Sequence, residues 1–129
     1  MKRILTILLL VVVIGLTGCE KYTSHYSATA FVHSNESDSA FMNFWKFEGN
    51  MVFQLKCREE GQSLAYTARL ETGSATVYYD AGDGKTELCA VNAGDETQSV
   101  LEGLKPGTFY VIVEADGHCE NGDFHFDIQ

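Results

Sequence analysis

Met51-Val52-Phe53-Gln54-Leu55-Lys56-Cys57 places apolar side chains at every second position, with Val52, Gln54 and Lys56 between them. Arg58-Glu59-Glu60-Gly61-Gln62 then supplies a turn, after which Leu64, Tyr66, Ala68 and Leu70 alternate with Thr67 and Arg69. Successive side chains of a strand point to opposite faces, so a period of two marks half-buried strands and not helices. The same grammar extends outward. Upstream, the aromatic run of residues 41–47 ends at Glu48-Gly49-Asn50. Downstream, Glu71-Thr72-Gly73-Ser74 reads as a turn before Ala75, Val77 and Tyr79. Asp80-Ala81-Gly82-Asp83-Gly84 leads into residues 86–92, and Asn92-Ala93-Gly94-Asp95-Glu96 precedes a short strand near 97–101. Leu104-Lys105-Pro106-Gly107 opens the strongest strand, 108–115, whose Val111 and Val113 are expected in the core. Asn121-Gly122 reads as a tight turn, with Phe124, Phe126 and Ile128 alternating to the end. No apolar stripe with helical period exceeds two turns after Cys19. Turn signals every ~8–12 residues predict an all-β fold. The expected architecture is an antiparallel β-sandwich of seven or eight strands, immunoglobulin/fibronectin-like or jelly-roll-like, with a barrel as the alternative.

The 129 residues carry 9 basic and 18 acidic side chains, a formal charge of −9. One domain fits this length. At 45% hydrophobic and 12% aromatic, the chain is too apolar to be disordered. Nucleic acid is excluded as a partner, because neutralising phosphates takes clustered Lys and Arg.

The first residues give an address. Lys2-Arg3 precede an apolar core from Ile4 to Leu16, interrupted by Thr6 and Gly15. That core is too short for the ~20 residues of a bilayer span and fits the helix of a signal peptide. Leu16-Thr17-Gly18-Cys19 follows directly. It resembles the bacterial lipobox, in which small residues admit a peptidase and the cysteine thiol is acylated before cleavage. The expected organisation is a signal peptide at 1–18, lipidated Cys19 with a flexible tether at 19–38, and a β-sandwich at 39–129. Within the tether, residues 28–33 have the pattern of a first edge strand. Cleavage removes Lys2 and Arg3, leaving 7 basic against 18 acidic residues, a charge of −11. Attachment would therefore come from acyl chains on the extracytoplasmic face of a bacterial membrane, and not from attraction to anionic headgroups. Where the source has two membranes, the outer one is an alternative site.

Two resemblances bear on these residues. The order of the 41–47 run, Gly49, Phe53 to Leu55, Gly61, Leu64, Gly73, Asp83-Gly84-Lys85, Pro106-Gly107 and a last strand after Gly122 is similar to small uncharacterised lipoproteins of Firmicutes. Those look like one β-sandwich on a lipid tether, and the resemblance implies no catalytic residue. Separately, Leu104-Lys105-Pro106-Gly107-Thr108-Phe109-Tyr110-Val111-Ile112-Val113 resembles the penultimate-strand motif of fibronectin type III and bacterial prepeptidase C-terminal domains. It bears on fold and not on ligands.

Chemistry-bearing side chains gather near the C-terminus: Glu114, Asp116, His118, Cys119, Glu120, Asp123, His125 and Asp127. If Asn121-Gly122 reverses the chain, His118 and His125 oppose one another and could share a transition metal with Asp116 or Cys119. The preferred reading is a solvated acidic face with Phe124, Phe126 and Ile128 turned inward, and no metal or cofactor is expected. Asp80, Asp83 and Glu87 lack the alternating oxygens of a calcium loop, since Gly82 and Lys85 intrude, and read as a hairpin turn. With Cys19 acylated, Cys57, Cys89 and Cys119 remain, which allows at most one disulfide. Cys89–Cys119 is the preferred pairing if one forms, and Cys57 shares the face of Phe53 as a small hydrophobe. The aromatics serve either the core or an exposed platform, for which Trp45 and Tyr78 are the candidates. The preferred function is a non-enzymatic, lipid-anchored module that binds a protein, glycan or envelope component. The alternative is a metal-dependent or hydrolytic activity at the C-terminal His/Asp hairpin.

Overall fold

The computed structural model describes residues 22–129, and no helix occurs among them. The signal segment, Cys19 and the start of the tether lie outside the described residues. Nine strands follow in order: β1 His25–Thr29, β2 Val32–Asn35, β3 Ser39–Cys57, β4 Gln62–Thr72, β5 Ser74–Asp80, β6 Thr86–Asn92, β7 Glu96–Leu104, β8 Gly107–Ala115 and β9 Cys119–Ile128. All pair antiparallel in the order β6-β5-β8-β3-β9-β4-β7, with β1 and β2 added to β3.

The pairing shows that the building unit is longer than one strand. β3 runs for 19 residues. Its first half pairs with β9, from Ser39↔Asp127 to Phe47↔Cys119, and its second half with β8, from Asn50↔Glu114 to Cys57↔Gly107. β8 and β9 are thus two halves of one long strand broken near Gly117. By the same logic β4 and β5 are halves of a second, broken at Gly73, because β4 pairs with β9 and β5 with β8. β6 and β7, broken near Gly94, make a third. Four long antiparallel strands are folded in half across a crease, giving a β-sandwich. One layer is β6-β5-β8 with the second half of β3; the other is the first half of β3 with β9-β4-β7. Strands that switch layers at bends are the usual way to turn such corners.

Each strand crosses the crease at a glycine with positive φ: Gly49 (+99°), Gly73 (+93°), Gly94 (+85°) and Gly117 (+82°). Gly73 shows why. A Cβ there would stand 2.5 Å from the His118 carbonyl oxygen and 3.0 Å from Cys119 Sγ. Backbone bonds tie the crease, Gly94 N–H to Leu70 C=O at 2.8 Å and Asp116 N–H to Ser74 C=O at 2.8 Å. The bend also flips side-chain parity. In β3 the buried positions are Ala40, Met42 and Phe44 in the first half, then Phe47 just ahead of Gly49, and Met51, Phe53, Leu55 and Cys57 beyond it. Both halves therefore turn their apolar faces into one core. Phe53 meets Phe126 across the layers at 6.0 Å, and Phe44 packs on Phe47 at 5.1 Å. Phe44 also lies over Gly122, its cross-strand partner, where a Cβ would fall 2.2 Å from the ring.

Several expectations change. The breaks at Glu48-Gly49-Asn50 and Glu71-Thr72-Gly73-Ser74 are bends within long strands and not reversals. Asn121-Gly122 lies inside β9, with Asn121 at φ +51°, so the C-terminal hairpin does not exist. The part of the expected tether at 25–35 forms β1 and β2, hinged at Ala30 (φ +49°). These strands, with the segments beside them, satisfy the open edge of β3. Val52 N–H donates to Ser24 Oγ (2.8 Å), Gln54 N–H to Asn35 Oδ1 (2.9 Å) and Lys56 N–H to the Ser37 carbonyl (2.7 Å). An unpaired sheet edge is a template for aggregation, and covering it removes that hazard.

Val111 and Val113 are buried at 0% and 1% exposure, as the alternation predicts. Val111→Asp would bury an unpaired carboxylate at a cost comparable to the stability of a small domain, and the chain is expected not to fold. A cooperative melt near wild type in circular dichroism would refute that placement. Gly73→Ala and Gly61→Ala both carry left-handed strain of roughly 1–3 kcal/mol. Only Gly73 meets backbone, since nothing lies within 4 Å of the added Cβ at Gly61. Gly73→Ala should therefore lower the urea midpoint more than Gly61→Ala, with the m-value unchanged.

Candidate functional site

The sandwich has two outer faces, and the exposed Trp45 lies on one of them. In β3, Phe44 pairs with Gly122 and Lys46 with Glu120, so Trp45 stands level with Asn121 on the outside of the β3-β9-β4-β7 layer. Trp45 is 51% exposed, with the Lys46 ammonium 4.7 Å from its ring centroid. Strand alternation puts Phe44 in the core and leaves Trp45 outside.

Beside it, the face is polar and grooved. Asn43, Arg69, Glu71, Glu96 and Asn121 line a groove of ≈610 Å³ that begins at the Trp45–Asn121 level. Asn121 Nδ2 donates to Glu71 Oε2 at 3.0 Å, which holds two groove walls together. Arg69 sits in register between Asp123 of β9 and Glu96 of β7. Further along, Thr67, Gln98, His125 and Asp127 continue the same face. His125 stacks on Phe41 at 5.5 Å, and its Nε2 lies 2.9 Å from Asp123 Oδ1. Asp123 Oδ1 is itself buried at this contact. Sequence reasoning singled out Trp45 and His125 but missed Arg69, Asn43 and Asn121. Their signal is cross-strand register, which no single strand reveals.

The second candidate aromatic is elsewhere. Tyr78 pairs with Ile112 on the outside of the other layer, half-buried under Lys85, whose ammonium is 4.3 Å from its ring and ion-paired to Glu114. On the same face Tyr110 packs edge-on against Tyr22 at 5.3 Å, and the Tyr22 hydroxyl donates to Asp80 Oδ2 at 2.7 Å. Asp80, 1% exposed, also accepts from Gly82 N–H and Gly84 N–H, which makes its loop a turn, as expected, and not a cation loop.

The proposed metal pair is not brought together. His118 and His125 are seven positions apart along one chain direction, each with its own carboxylates. His118 lies 3.2 Å from Glu48 and 3.5 Å from Glu120, while Asp116 approaches Ser74 Oγ at 3.3 Å. No group of three or more metal-ligating side chains forms among the described residues. Cys57, Cys89 and Cys119 are free thiols, so the preferred Cys89–Cys119 bridge is not present. Cys119 Sγ instead donates to the Ser74 carbonyl at 3.2 Å, beside the crease, and Cys89 stands opposite Val77.

Family models and curated protein sequences give no match to the chain. Among solved structures, it is similar to a carbohydrate binding module of family 29, with TM-score 0.40 and 16% identity over 81% of this chain and 75% of that one. It is also similar to TmCBM61 in complex with β-1,4-galactotriose, with TM-score 0.43 and 14% identity over 85% and 86%. A third likeness is the pre-peptidase C-terminal domain of collagenase from Bacillus anthracis, with TM-score 0.48 and 14% identity over 74% and 91%. Likenesses at this level carry no argument about what the chain binds.

Burial and the neighbouring Glu87 push the Cys89 thiol up from 9.0 to about 11. Burial likewise raises Cys119. Above pH 9 the unfolded chain would lose the Cys89 proton while the folded chain keeps it, so this group favours unfolding as pH rises from 9.0 to about 11. The urea midpoint of Cys89→Ala should fall less steeply over that window than that of wild type. Parallel curves would refute the shift.

Proposed function

We propose that the chain is a non-enzymatic, lipid-anchored, extracytoplasmic binding module, and that its ligand is a neutral glycan held on the outer face of the β3-β9-β4-β7 layer. The observation that carries this reading is Trp45, a half-exposed indole beside a groove lined by Asn43, Arg69, Glu71, Glu96 and Asn121. A flat aromatic ring offers an apolar platform for the C–H face of a pyranose. Amide, guanidinium and carboxylate groups around it suit the rim of hydroxyls. Asn43, Arg69 and Asn121 supply donors. Glu71 and Glu96, which line the same groove, supply acceptors. A groove of ≈610 Å³ falls within the range of small-ligand sites. The charge of the mature body, −11 by sequence, disfavours polyanionic glycans.

The anchor rests on the Leu16-Thr17-Gly18-Cys19 box behind a short apolar core. Cys19→Ala is expected to abolish radiolabelled palmitate incorporation; label entering that variant would remove the lipobox from the proposal.

Trp45 is the sole tryptophan, so its fluorescence reports directly on the site. Titration with neutral hexose oligosaccharides should shift its emission in a saturable way, while a uronate oligomer of matching length should not. By calorimetry Trp45→Ala should weaken binding at least about tenfold, about 1.4 kcal/mol, with an unchanged melting temperature because the ring is not in the core. Arg69→Ala should weaken binding in the same assay. Saturable binding that survives Trp45→Ala would move the site away from this face.

A further inference from the structure

We infer that the module is held directly against the bilayer by the face bearing Tyr22, Tyr110 and Tyr78, so that the Trp45 groove is presented away from the membrane. The inference rests on the acylation of Cys19 proposed above and on where the fastened chain begins. The Tyr22 ring packs on Tyr110 and its hydroxyl donates to the buried Asp80. The next residues are fastened too. Asn50 Nδ2 donates to the Thr23 carbonyl at 3.2 Å, Ser24 Oγ accepts from Val52 N–H, and His25 N–H donates to Asn50 Oδ1 at 3.1 Å. Only Glu20 and Lys21 stand between Cys19 and Tyr22. Three Cα–Cα steps reach at most about 11 Å. A lipid-bearing Cys19 therefore cannot stray further than that from the Cα of Tyr22, whose ring packs on Tyr110.

Tyr110 and Tyr22 lie on the outside of the layer that contains β8 and β5, as does Tyr78. Trp45, Asn43, Arg69 and Asp123 lie on the outside of the opposite layer. With the core between them, bringing the first face to the lipid turns the second away. The occupant of the first face is thus a lipid surface, placed there by tether length and not by charge. The acidic body is repelled by anionic headgroups, so the acyl anchor holds it there against a repulsion that salt screens. A neutral glycan on the far side would approach without competing with the headgroups.

The test uses the full-length lipidated protein in vesicles of phosphatidylethanolamine and phosphatidylglycerol doped with a headgroup-nitroxide lipid. Vesicle flotation and tryptophan quenching are read together. Wild-type Trp45 should float with the vesicles and show little quenching, whereas Trp45→Phe/Tyr78→Trp should float and be strongly quenched. A twenty-residue Gly/Ser spacer inserted after Lys21 should keep flotation and abolish the quenching at position 78, since such a chain adds about 25 Å of reach. Loss of flotation would overturn both the acylation and the orientation. Flotation with Trp45 quenched, or with position 78 unquenched, would overturn the orientation alone.

Discussion

Everything in this molecule depends on bending four long strands along one line without opening their hydrogen bonds. A strand side chain at the bend would collide with the neighbouring backbone, as a Cβ at Gly73 does with the His118 carbonyl. The crease is accordingly made of left-handed glycines, at 49, 73, 94 and 117, one in each strand. Because the bend reverses parity, a strand whose even residues face the core before it has odd residues facing the core after it. That reversal lets a single sheet supply both walls of its own interior, and Phe53 and Phe126 meet where the two walls close.

Two features define the surface. Strand alternation ahead of the Gly49 bend turns Trp45 outward, next to the buried Phe44. The folded sheet also has two outer faces of different character. One is spanned by Arg69, Asp123, Asn43 and His125 in a groove. The other is occupied by Tyr22, Tyr110, Tyr78 and the Lys85–Glu114 pair. The N-terminal segment belongs to the second face and to the edge of β3, where Ser24, Asn35 and Ser37 complete hydrogen bonds that the sheet leaves open. A segment that reads as polar spacer is in this way a structural part of the domain. It is polar because it is bound through its side-chain oxygens and backbone, and not through an apolar face.

The candidate site was partly legible. Trp45 stood out as a platform candidate because indole is costly to leave outside without a use, but its neighbours did not. Arg69 and Asp123 are 54 positions apart in the chain and meet only through the β4–β9 register. The His118–His125 pair illustrates the converse. Asn-Gly is the strongest dipeptide signal for a two-residue turn. Yet Asn121 takes its positive φ inside β9 and Gly122 is needed for the Phe44 ring lying on it. Without the turn, His118 stands just before β9 and His125 lies within it, so they have no common ion to share.

Local sequence alone determined the strands. Period-two alternation carries the burial of Met51, Phe53, Leu55, Cys57, Leu64, Tyr66, Ala68, Leu70, Val111 and Val113, because side-chain direction in a strand is a property of the residue and its two neighbours. It also marked nearly every glycine break. What it could not distinguish is a break that reverses the chain from one that bends it. Both need a residue with positive φ, and local composition is the same for each. Gly61 precedes β4 in a reversal and Gly73 sits at a bend, and only the partner across the gap tells them apart. Tertiary pairing decided that, and with it the count of nine strands, the two faces, and the assembly of Trp45, Arg69 and Asp123 into one surface.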